Sequence, residues 1–175
     1  MSQKNSWHET FMQIAELIAE RHSTCARIKV GALLVKDGRI ISTGYNGTPA
    51  KSKHECCTYF PAMWAKKTPG VNDKFFDAWK LDEWLSSAEF KDLHRQFSID
   101  YEIHAEMNCI AYAARQGMHI DGSTLYCTFS PCINCAKLII ASGIKEFYYR
   151  HLYERKDDDG RTLLQENKIE CYEIK

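Results

Sequence analysis

The chain has 175 residues, 45% of them hydrophobic and 26% charged, which fits one globular domain with a sizeable core. Its 23 Lys plus Arg are balanced by 23 Asp plus Glu. A dedicated polynucleotide binder carries a basic surplus to displace counterions, so this neutrality weighs against nucleic-acid partners, though a few basic residues can still gather round one phosphate. The stretch MSQKNSWHETFMQIAELIAE lacks the apolar core of a secretory signal, and no apolar run is long enough to span a bilayer. A cytoplasmic protein with no membrane partner is expected. In a reducing compartment its eight cysteines favour metal ligation or burial over disulfides.

In chain order, Trp7 to Glu20 reads as a helix, with Phe11, Ile14, Ala15, Leu17 and Ile18 on one buried face. GALLVK and RIISTGY flank Asp37-Gly38, a strong hairpin signal. From about residue 48 to 100 the chain is rich in Lys, Trp and Phe, with short helical patches such as DAWKLDEWL; it reads as an insertion in a single domain. HAEMNCIAYAARQG is a helix, with Ala105, Met107, Cys109, Ile110, Ala113 and Ala114 mostly buried and Gly117 as its stop. STLYCTF, IKEFYY and KIECYEI are strands; CINCAKLIIASG and RTLLQEN are helices, the latter after the polar turn ERKDDDG. Alternating helices and strands imply an α/β protein with a central sheet covered on both faces.

The chemistry lies in His104-Ala105-Glu106 and Pro131-Cys132-Ile133-Asn134-Cys135, each at a predicted helix start. Cys132 and Cys135, three apart, project from one side of a first helical turn, where the dipole and unpaired N–H groups favour thiolate. His104 completes a three-ligand set. Three ligands with an open fourth position mark a catalytic zinc, whereas a structural site is closed by four. Glu106, two residues beyond His104, is offset from the ligand and can act as general acid and base toward a metal-activated water. Neither motif is specific alone, since CxxC also serves structural zinc sites and redox pairs. Together and in this order they form the H-x-E and P-C-x-x-C pattern of zinc nucleobase deaminases.

VGALLVKDGRIISTGYNGTP, HAEMNCI, TLYCTFSPCINCAKLIIASGI and the Tyr153 region resemble the cytidine and deoxycytidylate deaminase superfamily, in particular its deoxycytidylate branch from tailed bacteriophages. The resemblance covers most of the chain and is weakest in the insertion. It implies a three-layer α/β/α fold around a mixed five-stranded sheet and conversion of dCMP to dUMP and ammonia, which supplies dUMP for thymidylate synthesis. It also implies that Asn46 bonds the sugar or phosphate end, that Tyr153 closes over the nucleotide, and that backbone groups around Thr128, Phe129 and Ser130 read the pyrimidine edge. Arg27 and Lys29, just before the hairpin, can serve the phosphate or be solvated surface charges. Cys25, Cys56, His94 and Glu102 resemble a second, structural zinc site, with Cys57 as an alternative to Cys56. Activation by dCTP, inhibition by dTTP, a homohexamer, and a subunit-contact role for Arg115 are further implications. Cys109, Cys127 and Cys171 sit at apolar positions as core thiols.

Two rivals stay open. One is a deaminase of a free nucleoside or of a base in tRNA or DNA; the other is a zinc-stabilised binding module without turnover. The lack of a basic run weighs against polynucleotide editing, and Glu106 weighs against a purely structural metal.

Overall fold

Ser6 accepts a hydrogen bond from the Glu9 N–H and starts helix α1, Trp7–His22, in a computed structural model that describes residues 6–25, 27–53, 56, 59, 60, 62, 63, 83–153 and 159–175. The buried side of α1 is Phe11, Met12, Ala15 and Ala19. The predicted face needs correcting: Ile14 and Ile18 are half-buried and Leu17 is 54% exposed. Residues 11, 15 and 19 form one i, i+4 row, and that row meets the sheet.

Strands β1 (Gly31–Lys36) and β2 (Arg39–Tyr45) form the expected hairpin. Asp37 and Gly38 both have positive φ, 50° and 72°, which matches the right-handed twist of the strands in a two-residue turn. The later elements are α2 (Ala88–Tyr101), α3 (Ala105–Arg115), β3 (Thr124–Phe129), α4 (Ile133–Ala141), β4 (Glu146–His151), α5 (Arg161–Glu166) and β5 (Glu170–Glu173). The sheet order is β2-β1-β3-β4-β5. β1 pairs antiparallel with β2 and β3, while β3–β4 and β4–β5 are parallel. This is the expected mixed five-stranded sheet.

Alternation along the strands divides the core into two layers. Ala32, Leu34, Leu125, Cys127, Phe147 and Tyr149 face α3, α4 and α5. Leu33, Val35 and Tyr126 point the other way, onto Phe11, Met12 and Ala15 of α1. In α3, Ala105, Cys109, Ile110 and Ala113 are buried as expected, whereas Met107 is half-buried and Ala114 is exposed.

The chain divides into two compact units: residues 1–23, 28–46 and 104–175 carry the sheet, and residues 24–27 and 47–103 form the second. In the second unit Phe60 packs edge-on against Phe90 and Phe97, with ring centroids 5.0 and 5.1 Å apart. Paired hydrogen bonds between Gly47 and Ile103 tie the ends of its long segment together. The 14-residue helix α2 exceeds the short patches predicted here, because its buried stripe (Phe90, His94, Phe97) is thin and includes a polar residue. Most of DAWKLDEWL and Cys57 lie outside the described residues. Among the described residues no helix is long and apolar enough to cross a membrane.

Leu125 is fully buried at the centre of the larger core layer. Leu125→Ala should therefore lower the unfolding free energy by about 2–5 kcal/mol, read as a lower urea midpoint with an unchanged slope.

Candidate active site

His104 is the N-cap of α3 and Cys132 is the N-cap of α4. Both have extended backbone, so each side chain stands at a helix mouth. The Cys132 sulfur accepts the Cys135 N–H at 3.5 Å, which fixes the turn that carries both cysteines. His104 Nδ1 lies 3.5 Å from Cys132 Sγ and 3.4 Å from Cys135 Sγ, and the three donor atoms lie within 4.8 Å of one another. A tetrahedral zinc with ordinary Zn–S and Zn–N bonds places sulfur and nitrogen about 3.6 Å apart. The spacing and the soft donor set both fit zinc. No fourth His, Cys, Asp or Glu among the described residues joins the group.

A hydrogen bond from Cys135, assisted by His104, pushes Cys132 down to about 4, while the same bond and burial push Cys135 up. Cys109, by contrast, is pushed up to about 12 by burial, and Cys127 is raised for the same reason. They are the core thiols expected; Cys171 is only half-buried. None of the described cysteines is in a disulfide.

Glu106 is buried in the first turn of α3. Burial raises the affinity of its carboxyl for a proton, partly offset by the nearby His104 ring and by a hydrogen bond with Cys135. A buried carboxyl with raised proton affinity is the kind of group that serves general acid–base chemistry.

The other predicted site residues have varied surroundings. Asn46 is buried, and its side-chain amide is a backbone clamp. Its Oδ1 accepts from Ser23 Oγ (2.6 Å) and the Val30 N–H (2.7 Å), and its Nδ2 donates to the Ile28 carbonyl (2.9 Å). Ser130 is buried, and its Oγ accepts the Tyr153 N–H at 2.8 Å. Its own N–H donates to the His151 carbonyl, also at 2.8 Å. Ser130 thus anchors the segment that presents the half-buried Tyr153. Thr128 Oγ1 accepts the Gly31 N–H at 3.2 Å. Arg27 and Lys29 are exposed, with Lys29 Nζ donating to the Glu20 carbonyl. Arg115, the last residue of α3, is exposed.

A second cluster lies within the smaller unit. Cys25, Cys56, His94 and Glu102 bring four donor atoms within 4.8 Å of one another, with Cys25 Sγ 3.2 Å from His94 Nε2. Glu102 Oε1 is buried with no hydrogen-bond partner, and burial raises its carboxyl's proton affinity. An orphaned buried carboxylate oxygen is costly unless a cation or proton satisfies it. The donors fit a closed four-ligand zinc site.

Sequence reasoning took Asp159-Gly160 for the end of a plain polar turn and Arg161 for the start of the next helix. The turn's contacts with the start of α4 are invisible in one sequence, because they join residues some thirty positions apart.

With this geometry in view, the chain matches the family model described as the cytidine and deoxycytidylate deaminase zinc-binding region over residues 5–151. It is 38% identical over 172 residues to the deoxycytidylate deaminase of Enterobacteria phage T4, covering 94% of this chain and 88% of that protein. It is equally similar, 38% over 173 residues, to the deoxycytidylate deaminase of Enterobacteria phage T2, covering 94% of this chain and 90% of that one. Among solved structures, the dCMP deaminase of cyanophage S-TIM5 in complex with dCMP and dUMP superposes with a TM-score of 0.69 at 31% identity, covering 99% of this chain and 100% of that chain. The family model and these relatives span nearly the whole chain, including both halves of the ligand set, and the chain belongs to the cytidine and deoxycytidylate deaminase family.

Proposed function

We propose that this chain is a cytoplasmic dCMP deaminase that hydrolyses dCMP to dUMP and ammonia, with His104, Cys132 and Cys135 holding a catalytic zinc. The observation that carries the reading is the three-donor triangle at two helix mouths with buried Glu106 beside it. A zinc ion held by His104, Cys132 and Cys135 would lower the pKa of a bound water and make a hydroxide nucleophile available near neutral pH. Glu106 accepts a proton from the attacking water and delivers it to N3 of the pyrimidine as the C4–O bond forms. It then takes the proton of the new C4 hydroxyl and passes it to the amino nitrogen, so that the C4 carbonyl forms as the C4–N bond breaks and ammonia leaves. Burial of Glu106 keeps bulk water from competing for these protons.

Backbone groups around Ser130 read the pyrimidine edge, and Tyr153, whose N–H is held by the Ser130 hydroxyl, closes over the nucleotide. Asn46, which ties the Ser23 hydroxyl to the backbone of Ile28 and Val30, lies toward the sugar or phosphate end, and Arg27 serves the phosphate, for which a guanidinium offers paired donors. Cys25, Cys56, His94 and Glu102 hold a second, structural zinc, supported by the unpartnered Glu102 oxygen. The product supplies thymidylate synthesis. The same reading includes a homohexamer activated by dCTP and inhibited by dTTP, with Arg115 at a subunit contact.

Glu106→Gln should lower kcat on dCMP by about 10²–10⁴-fold while zinc content stays at the parent level; unchanged turnover would remove Glu106 from the mechanism. In the same absorbance assay dCMP should be turned over far faster than deoxycytidine, and Arg27→Ala should raise KM for dCMP more than it lowers kcat. Preference for deoxycytidine would make the enzyme a nucleoside deaminase. Elemental analysis should find two zinc ions per chain, falling to one in Cys25→Ser/His94→Ala. One zinc in the parent would leave the second cluster without a metal.

A further inference from the structure

The turn Asp159-Gly160-Arg161 lies directly on the start of α4. The Gly160 N–H donates to the carbonyl of Pro131, the residue before Cys132, at 2.9 Å. A Cβ at position 160 would fall 2.6 Å from the Cys132 carbonyl oxygen, 2.9 Å from its carbon and 2.8 Å from Ala136 Cβ. That Cys132 oxygen also accepts the Ala136 N–H at 2.9 Å, one of the first hydrogen bonds of α4. It cannot retreat without turning the helical turn that carries Cys135. The neighbouring residues hold the turn in place. Arg161 grips Asp159 with Nε (2.9 Å) and Nη2 (2.6 Å) and donates Nη1 to the hydroxyl of Tyr149 on β4 at 3.2 Å. Tyr149 is buried in the core. The Gly160 carbonyl accepts the Leu164 N–H at 3.1 Å and begins α5, with Leu164 fully buried below.

We infer that Gly160 is a positioning residue for the metal. Its missing side chain lets the turn press on the Cys132 backbone, and the Asp159–Arg161–Tyr149 chain keeps that pressure constant, so the two thiolates are held at the spacing the metal requires. This rests on the assignment of Cys132 and Cys135 as zinc ligands. A glycine serving packing alone would lower the stability of the whole fold when replaced and leave the metal's surroundings unchanged. A positioning glycine alters the ligand geometry itself, as residues that orient ligands from outside the coordination sphere do.

The test is Gly160→Ala in the full chain, with zinc affinity measured by chelator competition and the cobalt-substituted protein read by its visible ligand-field and thiolate charge-transfer bands. Gly160→Ala should bind zinc about 10–100-fold more weakly, with shifted cobalt bands, while far-UV circular dichroism matches the parent. Parent-like affinity and cobalt bands would overturn the inference. If the parent itself binds no zinc through Cys132 and Cys135, the metal assignment beneath it fails, which is a separate result. Should Gly160→Ala not be recovered folded, Arg161→Gln decides by the same readouts. It leaves Gly160 in place but releases the turn, so several-fold weaker zinc with altered cobalt bands supports the inference and parent-like values overturn it.

Discussion

The site depends on one constraint: two helices must begin at the same point in space. α3 starts at His104 and α4 at Cys132, so the imidazole and both sulfurs meet where backbone N–H groups and the positive ends of two dipoles converge. Such a point favours thiolate over thiol and draws electron-rich ligands together. The sheet sets it. α4 follows directly from the carboxyl end of β3, which pairs in parallel with β4, and the crevice beyond the carboxyl ends of parallel strands is where α/β folds place their ligands. α3 packs on β1, β2 and β3 beside it.

Burial separates the two kinds of acid–base group in this centre. Cys109 and Cys127 lie in apolar surroundings and keep their protons. Cys132, a helix N-cap with a neighbouring donor, gives up its proton readily. Glu106 is buried like the first two, yet sits beside His104 and Cys135, and its raised proton affinity suits the proton-carrying role proposed for it. The same amino-acid types thus have opposite roles according to what surrounds them.

Much of this was legible in the sequence. Asp37-Gly38 specified the hairpin because positive φ at both positions is a local demand. The clustering of His104, Cys132 and Cys135 was legible because a CxxC at a helix start puts both sulfurs on one side of the first turn. The mixed sheet and its helical layers followed from the order of periodic segments and from resemblance. Other features were not legible, for physical reasons. The face of α1 is set by what the sheet offers, and periodicity alone could not choose between the Ile14–Leu17–Ile18 side and the Met12–Ala19 side. Asn46, read for a ligand contact, also clamps residues 23 to 30, since an Asn-Gly pair does not disclose its long-range partners. α2 was fragmented because its buried stripe includes His94. The contact of Gly160 with Cys132 depends on α5 packing against α4, a tertiary fact with no local signature.

The central claim is that a metal sits between His104, Cys132 and Cys135 with one open position and Glu106 outside the coordination sphere. Anomalous diffraction at the zinc absorption edge, on crystals of the zinc-loaded protein, tests it most directly. The account predicts a strong peak bonded to His104 Nδ1 and to both sulfurs, with a non-protein fourth ligand and Glu106 within hydrogen-bond reach of that ligand. The absence of a peak there, or a peak coordinated by Glu106 itself, would contradict it.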